Sequence, residues 1–202
     1  MTISYPLTAP TTPAPAAVRI RPSVVTGMSV SPFTGQTQVY KYAAQAWMLD
    51  VRLPPMFRAE AEEWIAFMLA LNGRYGTFSM GDPARQRPRG SLLGTPLVNG
   101  AGQTGQTLDT DGWAANETGV LLKGDYIQIG TNLYSVLNDV DADAGGNATL
   151  DIFPRLRTAP ADNATVTCTG TVGLWRMTTD ELDFGVGVDG MYDISFSAME
   201  AL

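Results

Sequence analysis

The sequence predicts a mainly β chain with one amphipathic helix, and three observations carry that expectation. Apolar and polar residues alternate along several short stretches, the period-two signature of a half-buried strand. A single stretch, "MFRAEAEEWIAFMLALNG", carries an apolar stripe at helical spacing. The block from 90 to 170 is rich in Gly, Thr, Asn and Asp and has no helical stripe. The order is strands, helix, strand, an all-β block, then final strands. It points to a second β module inserted into the first. The expected division is 1–89 plus 171–202, with 1–22 as a Pro-rich arm, and 90–170 as the inserted module.

Each element has its own justification. Pro6, Pro10, Pro13, Pro15 and Pro22 remove backbone donors, so the arm cannot be a central strand. Gln38–Tyr42 and Ala46–Leu53 read as two strands. In the second, Trp47, Leu49, Val51 and Leu53 share one face and Asp50 and Arg52 the other. Pro54-Pro55 ends it. The helix follows, with Phe57, Ala61, Trp64, Ile65, Met68 and Leu71 in one stripe. Glu60, Glu62 and Glu63 suit its positive N-terminal end, and Asn72-Gly73 supplies a left-handed stop. A stripe of Trp and Met is read as core. "YGTFSMGDP" is a short strand running into a turn. "GDYIQIGTNLYSVLNDV" reads as a β-hairpin turning at Gly130-Thr131-Asn132. "GGNATLDIFP", "NATVTCTGTV", "GLWRM" and "MYDISFSAME" give further strands.

Composition narrows the function. The chain has 202 residues, is 45% hydrophobic and 16% charged, and carries a net charge of −7. With 13 Lys plus Arg against 20 Asp plus Glu, it offers no broad basic face for nucleic acid. The local patch Arg85-Gln86-Arg87-Pro88-Arg89 reads as a solvated loop or a contact to an acidic partner. Histidine is absent, which removes the commonest general base and metal ligand and every Ser-His or Cys-His nucleophile. Cys168 is the single cysteine, so no disulfide within the chain and no cysteine zinc site is possible; its alternating surroundings read as a buried strand. The N-terminal residues show neither the basic nor the apolar region of a secretory signal, and no run has the length of a membrane span.

Four motifs invite chemistry, and each has a plainer reading. Gly100, Gly102 and Gly105 spell G-x-G-x-x-G, the dinucleotide-binding fingerprint. That fingerprint needs a helix whose N-terminus meets the pyrophosphate. The residues that follow, "QTLDTDGW", make a poor helix, so a glycine-rich loop between strands is expected and no cofactor. Asp139, Asp141 and Asp143 resemble the start of a calcium loop. Ala144 stands where Gly is needed and Leu150 where the bidentate Glu belongs, so a hairpin turn is expected and no metal. Asp180, Glu181 and Asp183 read as an acidic loop before they read as a glycosidase pair. No P-loop or nucleophile elbow is present. Nothing requires an enzyme.

Several of these segments together carry a resemblance. "AWMLDVRLPPM", "EAEEWIAFMLALNGRYGTFSMGDP", "GTPLVNGAGQTGQTLDTDGW", "LLKGDYIQIGTNLYSVLNDV" and "LDIFPRLR" resemble distal tail proteins of long-tailed bacteriophages and prophages, over residues 30 to 200. The resemblance implies a split-barrel or belt-like ring domain with one helix against β-structure. It implies a peripheral β-barrel module, OB-like or galectin-like, here inserted instead of appended at the C-terminus. It implies a homo-hexameric ring at the tail tip, assembled in the bacterial cytoplasm, that joins the tail tube protein to hub, tip or baseplate proteins. DNA would pass through without sequence readout, in keeping with the negative net charge. The Pro-rich arm and strand edges are expected contact elements, and Arg85, Arg87 and Arg89 a contact to an acidic neighbour. Two other readings stay open: a module that binds host-surface glycan by stacking sugars on Trp113 and Tyr126, and another minor tail ring protein of the tube or terminator kind. A carboxylate glycosidase using Asp180 and Asp183 is a third.

Overall fold

The structure, a computed structural model that describes residues 3–202, sorts its strands into two sheets. In chain order the elements are β1 (Leu7–Thr8), β2 (Ala17–Val30), β3 (Thr37–Arg52), α1 (Arg58–Ala70) and β4 (Phe78–Met80). A 3-10 turn at Pro83–Arg85 leads to β5 (Gly94–Val98), β6 (Thr107–Trp113), β7 (Tyr126–Ile129), β8 (Asn132–Val136), β9 (Ala148–Phe153) and β10 (Val166–Thr167). The chain then returns through β11 (Gly173–Met177), β12 (Phe184–Val186) and β13 (Tyr192–Glu200).

The first sheet runs β1-β4-β11-β13-β3-β2, with β12 paired to one end of β13. Alternation decides its faces. Trp47, Leu49 and Val51 of β3, with Ile194, Phe196 and Ala198 of β13, point to one side and are buried. Met48 and Asp50 alternate with them and point to the other. Helix α1 covers the apolar side. Its Trp64 is fully buried, with ring centroids 6.0 Å from Phe67 and 6.1 Å from Phe196. The Trp64 indole N–H donates to the Pro13 carbonyl at 3.3 Å, and that of Trp175 to the Met80 carbonyl at 2.8 Å. Each large ring thus brings its polar atom to a partner.

The helix ends where Asn72 and Gly73 take positive φ of 51° and 64°. One member of the expected stripe departs from it. Phe57 occupies the N-cap with extended backbone (φ −76°, ψ 163°) and is 62% exposed. It lies one residue before helical geometry begins, so its side chain does not follow the stripe.

The N-terminal region is more ordered into the sheet than the prolines imply. β1 pairs in parallel with β4, Leu7 opposite Phe78. β2 starts at Ala17 and includes Pro22, opposite Trp47. Pro is tolerated because β2 is the edge of the sheet and, among the described residues, has no partner on its other side. The two strands expected at 38–42 and 46–53 are one strand, β3. Its partner β2 shifts register between Val24 and Thr26, and this irregularity carries the ribbon past the break.

The second sheet runs β10-β7-β8-β9-β6-β5 and nearly closes into a barrel. The ends are drawn together by a bridge between Leu97 and Thr165, with Val98 N–H donating to Ala164 O at 2.9 Å and Asn163 N–H to Val98 O at 2.9 Å. Leu108, Val120, Leu121, Ile127, Leu150 and Ile152 are fully buried inside it. The fold is therefore mainly β with one helix and a β-barrel module. The hairpin β7–β8 turns in two residues, Gly130-Thr131, and Asn132 already belongs to β8.

Polar contacts hold the two sheets together. The Trp47 indole N–H donates to Leu133 O at 3.0 Å, and Arg155 N–H to the Gln45 side chain at 2.8 Å. Arg157 of the barrel forms a 2.5 Å ion pair with Glu200 of β13, whose carboxylate also accepts from Trp47 N–H at 3.0 Å. Both charged side chains are largely buried, at 13% and 5% exposure. Among the described residues no helix is long and apolar enough to cross a membrane.

Candidate functional site

The most unusual surface is the far half of the β2–β3 hairpin. β13 pairs with β3 only from Arg52 back to Met48. Beyond that point β3 has β2 alone, and the two strands run out as a ribbon to a tip at Ser31–Gln36. The tip is closed by Ser31 N–H to Gln36 O at 2.8 Å, with Gly35 at φ 68°. The ribbon carries exposed apolar side chains on both strands among Thr, Ser and Gln, and touches the barrel at its base, where Lys41 Nζ donates to the Gln106 side chain at 2.9 Å. Phe33 is 95% exposed, Met28 70% and Val39 63%; Val24, Val25, Val30, Tyr40 and Tyr42 are about half exposed. Neither the strand reading nor the arm reading of the sequence marked this surface. The signal was present in "MSVSPFTGQTQVYKY", where alternation flanks a Pro-Phe-Thr-Gly turn, but sequence alone does not say which strand pairs leave the sheet.

The Arg85–Arg89 strap is the second feature. It borders a cleft of about 470 Å³ lined by Ala84, Arg85, Arg87, Arg89 and Lys123 through Tyr126. The Arg85 guanidinium lies 4.8 Å over the Tyr126 ring and 3.6 Å from Asp82. Asp125 fastens the strap to the barrel. Its buried carboxylate accepts backbone N–H from Arg89 (3.0 Å), Gly90 (3.1 Å) and Leu122 (2.8 Å), and sits 3.6 Å from Arg89 Nε. The Arg89 guanidinium donates to Lys123 O. Arg87 has no ion pair among the described residues.

The aromatic pair that the glycan reading would use is placed inside. Trp113 is 5% exposed and its indole N–H donates to the Thr110 hydroxyl at 2.8 Å. Tyr126 is equally buried, with Arg85 on its face and the Trp47 ring edge-on at 6.0 Å. Burial pushes the Tyr126 hydroxyl pKa up, against the pull of Arg85. Neither ring offers a free face, because each completes a core.

The glycine motif is a loop. Gly100, Gly102 and Gly105 have φ of 92°, 80° and 91°, and join β5 to β6 with no helix after them. Gln103 fills the loop from within: its side-chain amide donates to the carbonyls of Asn99 (2.8 Å), Gly100 (3.1 Å) and Asp109 (3.0 Å). Gly100 N–H donates to the Asp162 carboxylate at 2.8 Å. The amides a phosphate would need are partly spent on the loop itself.

The acidic groups are engaged unequally. Asp143 accepts from Asn147 N–H at 2.8 Å and Gly145 N–H at 2.7 Å, and these bonds, those from Asn147 first, hold its carboxyl below its usual pKa. Asp141 accepts from Gly119 N–H at 2.7 Å and Asp139 from Lys123 N–H at 2.9 Å. The three do not converge, and no metal-holding cluster exists among the described residues. Asp180 accepts Arg74 N–H at 2.9 Å. Glu181 and Asp183 have no ion pair among the described residues. They border a groove of about 610 Å³ with Arg19, Asp50 and Arg52. Cys168 is buried, and desolvation pushes its thiol pKa up to about 12, so it is no nucleophile at neutral pH.

Comparison of the chain with protein-family models and with curated protein sequences returns no match.

Proposed function

We propose that the chain is a structural protein of a bacteriophage tail, forming a homo-hexameric ring at the distal end that joins the tail tube to the tip or baseplate. The observation that carries this reading is the bare apolar ribbon of β2–β3. Solitary apolar side chains are normal on a surface, but a contiguous patch on both strands of a protruding hairpin marks an interaction site. Beyond Met48 the ribbon has only two strands, and a partner surface would steady it. A subunit that extends a ribbon onto the next one makes a head-to-tail contact, and such contacts close into rings.

The remaining features agree with a structural role. The nucleotide and calcium motifs are absorbed by loop geometry, Asp180 of the acidic loop is engaged by Arg74 N–H, and the rings that the glycan reading would use complete cores. The resemblance in the sequence supplies the hexamer and the tail position. The particle is assembled in the bacterial cytoplasm and carries the ring at its tail tip.

Negative-stain electron microscopy with light-scattering mass on the same sample tests the proposal. A closed ring of six copies with a central hole is the expected result. A monomer at all concentrations would overturn it.

A further inference from the structure

We propose that the cavity where the β2–β3 ribbon meets the barrel binds a small oxyanion, a phosphate or a carboxylate group, through Lys41, Arg155 and the Gln45 side-chain amide. The site goes beyond the ring reading and does not depend on it.

The irregularity of the ribbon builds the site. Val24 of β2 lies opposite Gln45 and Thr26 opposite Lys41, so two steps along β2 match four along β3. The extra residues bulge from β3 at 42–44. A bulge bends its strand and re-aims the side chains around it. In a flat strand Tyr42 would face away from Lys41, Ala43 and Gln45. Here all four border one cavity of about 290 Å³, completed by Gly105, Gln106 and Arg155 of the barrel. Two hydrogen bonds tie the walls together. Lys41 Nζ donates to the Gln106 side chain at 2.9 Å, and Arg155 N–H to the Gln45 side-chain oxygen at 2.8 Å. The walls are therefore set before a ligand arrives.

The donors around this cavity are unspent. Gln45 is only 5% exposed. Its oxygen is taken by Arg155 N–H, which fixes the orientation of the amide, and its NH2 group donates no hydrogen bond among the described residues. Buried amide hydrogens are ordinarily paired, so this group calls for an acceptor in the cavity it borders. Neither Lys41 nor Arg155 has an ion pair among the described residues. No acidic residue lines the cavity. Other unpaired cations differ in this respect. Arg19 and Arg52 share their groove with Asp50, Glu181 and Asp183, and Arg87 shares its cleft with Asp125. At the ribbon base a guanidinium fork, an ammonium and an amide NH2 offer donors alone, the set that recognises phosphate and carboxylate oxygens.

Calorimetric titration of the full chain tests this. Inorganic phosphate and acetate are each titrated against sodium chloride at matched ionic strength. Saturable binding of at least one is expected. Tighter phosphate binding assigns the natural ligand to a phosphate group, and tighter acetate binding to a carboxylate. Lys41→Met and Arg155→Met are each expected to weaken binding roughly tenfold or more. Gln45→Glu keeps the acceptor for Arg155 N–H but replaces the donor with a negative oxygen, and is expected to abolish binding. Arg176→Met, which removes an unpaired cation elsewhere, is expected to leave binding unchanged. Circular dichroism and melting confirm folding; Lys41 is exposed and Arg155 half-buried, so these two variants keep the test valid if Gln45→Glu does not fold. Heats no larger than those of chloride, or binding that survives both Lys41→Met and Arg155→Met, would mean an adventitious ion only and overturn the site. Either failure leaves the ring reading as it stands.

Discussion

The two halves of β3 carry similar alternating sequence and meet opposite fates. In the first half Trp47, Leu49 and Val51 lie in the core beside β13, and almost none of their surface is left to water. From Val39 to Tyr42 the stretch again carries large side chains, and Val39, Tyr40 and Tyr42 lie half exposed or more. The difference is the neighbour, not the strand. β13 supports the first half and stops at Met48, so the second half has only β2. Alternation in a strand says that a face wants burial; it does not say that the same chain provides it.

The comparison can be broken first at its buried end. Trp64→Ala is expected to cost about 3–5 kcal/mol by urea unfolding, since it removes a fully buried ring beneath the near half of the ribbon. Phe33→Ala at the tip is expected to change monomer stability by less than about 0.5 kcal/mol. Comparable losses from both would mean that the tip is packed in the free chain. Next in size is the clasp between the sheets. Glu200→Ala leaves Arg157 buried and unpaired and is expected to cost about 3 kcal/mol, read as a lowered urea midpoint.

The smallest effect concerns acid. Burial raises the Asp50 pKa, but hydrogen bonds from Ser197 and Arg21 and the charges of Arg21 and Arg19 outweigh it and hold the carboxyl below 3.8. A depressed folded-state pKa contributes stability that is fully present above the unfolded value and is lost as pH falls through the folded one. The Asp50→Asn difference in stability should therefore be constant at neutral pH and shrink below about pH 4. A difference that persists undiminished to lower pH would assign the effect to packing.

How much of this was legible follows the range of the interactions. The helix was legible because Ala61, Trp64, Ile65 and Met68 repeat at its own period, and its stop because Asn72-Gly73 accepts positive φ. The β7–β8 hairpin was legible from a local turn, and the glycine loop from the poor helix formers after Gly105. β2 was hidden because Pro22 argues against a strand unless that strand is known to be an edge, which is a property of the whole sheet. For Trp113 and Tyr126 the sequence left core and surface both open, because their partners, Thr110 apart, come from distant segments: Arg85 and Trp47 meet Tyr126 only after folding. The Arg85–Arg89 run was visible as a patch, but the cleft behind it depends on Asp125 reaching back across the chain to Arg89 and Gly90.

The central claim is that the bare half of the ribbon is covered by another copy. Sedimentation of wild type beside a Met28→Asp, Phe33→Asp double variant tests it most directly, because both residues lie far from any core. The variant is expected to keep the wild-type melting temperature of the monomer and to lose assembly. A variant that assembles as wild type does would show that the ribbon is not the interface.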